Sequence, residues 1–136
     1  MKTSSHLIIC VASLFLVVGI PGCLGNGDPD PNMITKVDLY DEYSGEEITI
    51  FVEASRNELV KTAIKHMQNE DYDLAIPKLE DAVSQRPDDD KAWYALGVCR
   101  EWSGDLEGAV SAYKNANMAE SKQEYQEARI RAESNL

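Results

Sequence analysis

Cysteine is scarce in this chain, and its placement is uneven. Cys10 and Cys23 lie near the N-terminus and Cys99 stands alone far downstream. That leaves no disulfide framework to staple a small fold. Histidine is limited to His6 and His66. A structural zinc centre or a hydrolytic triad normally needs more nitrogen or thiolate groups than this. Basic residues are also few, with 13 Lys and Arg against 24 Asp and Glu, a net charge of −11. This argues against nucleic acid as a partner, because phosphate binding needs a basic footprint. It argues equally against docking on anionic headgroups. There is no glycine-rich phosphate loop. The one acidic run, Asp88-Asp89-Asp90, lacks the alternating spacing and distal Glu of a calcium loop and suits a helix N-terminus. No catalytic residue, metal ligand or cofactor is therefore assigned. Long hydrophobic runs are missing too: Leu7–Ile20 is apolar but shorter than the roughly 20 residues a membrane-spanning helix needs.

What that run does suit is a leader. Lys2 precedes it, and Pro21-Gly22 ends it with helix-breaking residues that fit a cleavage site. A retained N-terminal membrane anchor is the alternative. Ile20-Pro21-Gly22-Cys23 resembles the lipobox of bacterial lipoproteins, with an apolar residue three before the cysteine and a small one just before it. Pro21 departs from the Ala or Ser more usual there. The resemblance implies that residues 1–22 are a signal peptide, that the Cys23 thiol receives a diacylglyceryl group, and that the new amino group is acylated, commonly with palmitate. Two or three acyl chains anchor stably where one does not. Leu24 is not the Asp that holds such proteins at the inner membrane of enteric-type bacteria. The expected location is therefore the periplasmic face of the outer membrane in a Gram-negative host, or the extracellular face of the cytoplasmic membrane in a Gram-positive one.

Residues 23–32 comprise the cysteine and a stretch rich in Gly, Asn, Asp and Pro, which reads as a flexible tether. Residues 33–55 admit two readings. Lys36–Tyr40 and Ile48–Val52 have strand character, and Ser44-Gly45 between them is a turn signal, so a β-hairpin or extended form is favoured. An irregular strap or extra helix is the other.

From Arg56 onward the periodicity is helical, and it repeats. Ala75 and Ala109 are 34 residues apart, as are Leu79 and Tyr113, Ala82 and Ala116, Leu59 and Trp93, and Asp71 and Asp105. The expected fold is all-α, with helices near residues 57–69, 73–85, 90–103 and 106–118, and a last one from 121 to about 135. Small Ala63, Ala75, Gly97 and Ala109 mark close helix crossings, with Leu59, Leu79, Trp93, Leu96 and Tyr113 filling the space around them. Gly104-Asp105 reads as a helix stop followed by an N-cap. Pro77 falls early enough in its helix to do limited damage.

Trp93, Leu96, Gly97, Ala109, Tyr113 and Ala116 have the types and spacing that resemble the tetratricopeptide repeat. Leu59, Thr62, Ala63, Ala75, Leu79, Ala82 and Pro87 form a weaker copy. The resemblance implies two helix-turn-helix units, residues 56–89 and 90–121, followed by a capping helix over 122–136. Tyr125, Ala128 and Ala132 share one face of that helix. Two units are fewer than the three or so that fold stably alone, so the 33–55 segment, the last helix, self-association or a partner must complete the stack.

In this family the first helix of each unit lines a concave groove. The resemblance puts Val60, Ile64 and Met67 of copy one there, with Tyr94, Val98, Glu101 and Trp102 of copy two. The Lys and Asn clamp that grips acidic C-termini in some relatives is replaced by Val60 and Ile64. The expected ligand is therefore an apolar peptide or amphipathic helix, anchored by Tyr94 and Trp102. The competing reading is that the chain's own 33–55 segment or last helix fills this groove. The function implied is a non-enzymatic, membrane-anchored scaffold or adaptor in the cell envelope. Alternatives are a self-assembling structural lipoprotein, an accessory subunit of an envelope enzyme complex and, more weakly, a thiol-dependent enzyme, since one repeat would bring His66 near Cys99.

Overall fold

The computed structural model describes residues 34–136. The expected signal peptide, Cys23 and the tether lie outside the described residues. Two strands come first, β1 (Ile34–Asp41) and β2 (Glu46–Glu53). Five helices follow: α1 (Glu58–Gln68), α2 (Tyr72–Gln85), α3 (Asp90–Trp102), α4 (Leu106–Ala119) and α5 (Gln123–Ser134). The fold is thus mostly helical with an N-terminal hairpin, and residues 34–53 form that hairpin rather than an irregular strap. Among the described residues, no helix is long and apolar enough to cross a membrane.

The hairpin is antiparallel and pairs Ile34 with Glu53 and Asp41 with Glu46. Gly45, at φ +73°, supplies the left-handed residue of its turn. Thr35, Val37 and Leu39 of β1 and Val52 of β2 are buried, with Ile50 partly so. The alternation puts Ile34, Tyr40 and Phe51 on the solvent face. The buried face lies across α1 and α3, the first helices of the two units.

The helix pairs repeat in detail. Asn57, Asp89 and Asp105 each cap a helix through their side chains, accepting from the backbone N–H of Leu59, Ala92 and Gly108. The turn inside each unit needs one residue in the left-handed region. In the second unit that residue is Gly104, at φ +83°. In the first it is Glu70, at φ +62°, one repeat earlier. The turn hydrogen bonds correspond as well: Asp71 N–H to the His66 carbonyl, and Asp105 N–H to the Arg100 carbonyl. Gly avoids the cost that a Cβ brings in this conformation, and Glu70 does not.

Ala63, Ala75 and Ala109 are fully buried, as are Leu79, Leu96, Tyr113 and Ala116. Trp93 is partly buried, and its indole N–H donates to the Pro87 carbonyl at 2.9 Å. α2 runs unbroken through Pro77, its sixth residue. α5 buries Tyr125, Ala128 and Ala132 and leaves most of its other positions partly or fully exposed. It packs on α4. A terminal helix with a polar outer face is what closes an open stack.

Candidate functional site

The expected groove residues divide sharply. Val60, Ile64, Met67 and Val98 are buried at 1% exposure or less, and Tyr94 at 6%. The open groove expected at these positions is therefore corrected. The hairpin crosses the face that α1 and α3 would have offered to a peptide, and α5 meets Tyr94 through Tyr125. The Tyr94 ring lies 4.8 Å from that of Tyr125 and 5.7 Å from that of Tyr113, centroid to centroid. Burial pushes the Tyr94 hydroxyl up to about 12. These apolar side chains saturate their contacts inside the chain. The physical reason is the shortage of repeats: two helix pairs leave an apolar face uncovered, and the nearest chain segments cover it.

Glu101 is also turned inward. Its carboxylate takes a two-pronged bond from Arg131 of α5, with Nε to Oε1 and Nη2 to Oε2 both 2.8 Å. The Tyr113 hydroxyl donates to Oε2 at 2.6 Å. Burial alone would lower the Arg131 guanidinium, but Glu101 outweighs it and holds Arg131 above its usual value. Glu101 is thus a fastener between α3 and α5 rather than a partner contact.

Trp102 is the exception. It is 47% exposed, with one side of its ring stacked on Tyr72 at 4.2 Å between centroids. It borders a cleft of about 550 Å³ between the β1 end of the hairpin and the α3–α4 turn, with Leu39, Tyr40 and Leu106 among its walls. The turn of the hairpin is held over this region by Asn135. That side chain accepts from the Tyr43 N–H at 2.8 Å and donates to Asp41 Oδ1 at 2.8 Å.

A second fastener joins the start of α5 to the opposite end of α3. Asp90, in the first turn of α3, accepts from Lys122 Nζ at 2.9 Å and from the Tyr125 hydroxyl. Burial raises the Asp90 carboxyl, but the bonds from Tyr125 and Lys122 outweigh it, so the net shift is downward. Burial lowers Lys122, yet Asp90 and Tyr125 hold it above its usual 10.5. A carboxylate depressed on folding adds stability above its unfolded value of 3.8 and loses it as pH falls through the folded value. A raised lysine adds stability below 10.5 and loses it as pH climbs. Asp90→Asn should therefore cost about 1 to 2 kcal/mol through the neutral range, and the gap to wild type should shrink toward pH 3. Urea titrations at several pH values measure this, and a gap of constant size down to pH 3 contradicts it.

Cys99 lies on α3, fully buried, and burial pushes its thiol up to about 12. The reactive thiolate is thus disfavoured at neutral pH. His66 stands in the last turn of α1. Among the described residues, no cluster of His, Cys, Asp or Glu is arranged to hold a metal ion.

Compared with known families, residues 66–131 match the tetratricopeptide repeat. The match spans just under half of the chain and runs from the end of α1 into α5. No curated protein and no solved structure gives a significant match. The sequence resemblance had placed the repeats at 56–121. The matched segment begins later and takes in most of α5, which occupies the position of a third unit's first helix. The fasteners at Glu101 and Asp90 were not legible in the sequence. Their only trace was a charged residue at a position where the face of α3 is otherwise apolar.

Proposed function

We propose that this chain is a lipid-anchored, non-catalytic adaptor of the bacterial cell envelope, whose repeat module holds a protein partner near the membrane. The tetratricopeptide match over 66–131 carries the protein-binding half of this reading. The apolar run, the small residues and the cysteine at 7–23 support the anchor. Val60, Ile64 and Met67 of α1 and Val98 of α3 are buried, and the hairpin packs on both helices, so the partner meets the module at its outer surface. Trp102 remains the best placed of the candidate anchors, since a large aromatic half exposed beside a cleft buries much area at small entropic cost. The burial of Cys99 favours a binding module over a thiol enzyme.

Expression of Cys23→Ser in a bacterial host tests the anchor. Wild type should incorporate labelled palmitate and be cut before Cys23, whereas the variant should do neither. Unchanged processing and membrane association in the variant would remove the anchor from this account. Crosslinking in membranes followed by mass spectrometry should return one recurrent envelope protein, and crosslinks only between copies of this chain would favour a self-assembling lipoprotein instead. That second reading has its own support in Ile34, Tyr40 and Phe51, exposed together on the outer face of the hairpin.

A further inference from the structure

β1 has one partner strand, and among the described residues nothing pairs with its other edge. The direction of that edge follows from two hydrogen bonds. The Ile34 carbonyl accepts from Gln68 Nε2 at 3.4 Å, away from β2. The Asp41 carbonyl accepts from the Gly45 N–H inside the turn. Backbone groups alternate sides along an antiparallel strand, so Lys36, Asp38 and Tyr40 direct their N–H and C=O outward, as Ile34 does. Asp38, Leu39 and Tyr40 also form one wall of the 550 Å³ cleft, and Trp102 and Leu106 stand across from them. An unpaired strand edge therefore runs along an aromatic-sided cleft.

The charge of the cleft restricts what can enter. No Lys or Arg lines it, while Asp38, Glu42 and Glu101 do. Glu101 is neutralised by Arg131, and Asp38 is shared with Lys36 and Thr49. Glu42 has no ion-pair partner among the described residues. Trp102 has one ring face covered by Tyr72, is half exposed and lines the cleft. An aromatic face and an uncompensated carboxylate lining one cleft, on a chain of net charge −11, attract a cation.

We infer that an extended basic segment of a protein partner adds to the outer edge of β1 and lays a Lys or Arg side chain over Trp102, in the cleft that Glu42 also lines. Main-chain hydrogen bonds to Lys36, Asp38 and Tyr40 give the affinity, and the cleft selects the cation. This inference rests on the adaptor reading and specifies the partner's chemistry. It also replaces the apolar peptide expected for the groove, because the apolar groove is filled from within.

The test uses the full chain in detergent micelles and two acetylated, amidated hexapeptides, one alternating Val and Arg and the other alternating Val and Glu. Calorimetry should detect the Arg peptide and not the Glu peptide. The backbone amides of Lys36, Asp38 and Tyr40 should exchange more slowly when the Arg peptide is bound. Trp102→Ala should weaken binding about tenfold. Glu42→Arg, on an exposed turn where folding is not at stake, should weaken it by at least about as much. Equal binding of the Glu peptide, unchanged binding by Glu42→Arg, or no protection of the three amides would each overturn the inference. So would a dimer in light scattering whose interface protects the same amides. Failure here alongside a recurrent envelope crosslink would leave the adaptor reading standing and remove only this partner chemistry.

Discussion

Arg131→Met should lower the unfolding free energy by about 3 to 5 kcal/mol, a large part of the 5 to 15 kcal/mol that a domain of this kind has in total. The cause is the charge left behind. The side chains of Arg131 and Glu101 are only 12% and 7% exposed, so Glu101 cannot recover water when its partner is removed. The Tyr113 hydroxyl still donates to it, but one neutral bond does not replace a two-pronged charged one. The double variant Glu101→Leu with Arg131→Met should regain most of the loss, because an apolar pair of similar volume removes both desolvation costs. Urea unfolding curves decide the matter, read as a change of midpoint at constant slope. If the single and double variants lose equal stability, packing rather than charge holds α5 to α3. The result bears on function, since α5 is one of the two elements that close the face of α3.

Gly97→Ala should cost about 3 kcal/mol, although in an ordinary helix the same change would gain nearly 1. A Cβ at residue 97 would stand 2.5 Å from Tyr113 Cε1 and 2.6 Å from Cδ1, where carbon atoms need about 3.5 Å. The ring has nowhere to retreat. It is fully buried, and its hydroxyl is held by Glu101 at 2.6 Å. In a Tyr113→Leu background the penalty of Gly97→Ala should fall to near zero or reverse sign. A stabilising Gly97→Ala in the wild-type chain would show that α3 and α4 do not cross as closely as described. The two variants are also coupled. With Arg131 gone the Tyr113 hydroxyl is the remaining side-chain bond to Glu101, so displacing the ring costs more in that background, and the losses of Gly97→Ala and Arg131→Met together should exceed additivity.

Not all of the sequence was equally informative. Ala75 and Ala109, or Leu79 and Tyr113, recur at a stride because each unit must present the same small and large groups to its neighbour. That constraint acts within about 40 residues of chain, so it is written as a pattern. The N-caps Asp89 and Asp105 and the stop at Gly104 are more local still. Each is one residue answering the unpaired backbone at a helix end. The Ser44-Gly45 turn belongs to the same class, and it marked the hairpin. Glu70 is different, because an αL residue other than Gly carries no compositional mark.

Of the expected groove residues, only their placement on first helices was legible. Val60, Ile64, Met67, Tyr94, Val98, Glu101 and Trp102 do fall on first helices, and all but Glu101 and Trp102 became core. Glu101 looked like a groove contact because Arg131 lies 30 residues away, with no periodicity to link them. Trp102 looked like one more aromatic, and its exposed face was settled by where α3 ends and by the stack on Tyr72.

Sequence alone determined the helical stride, the helix ends, the turn of the hairpin and the acidic balance, because each depends on neighbours close in the chain. The tertiary structure decided which apolar face stays open and which charge is compensated. Those outcomes depend on how segments distant in the chain compete for one surface: the hairpin took the face of α1 and α3, α5 packed on α4 and against Tyr94, and among the described residues the outer edge of β1 has no partner strand.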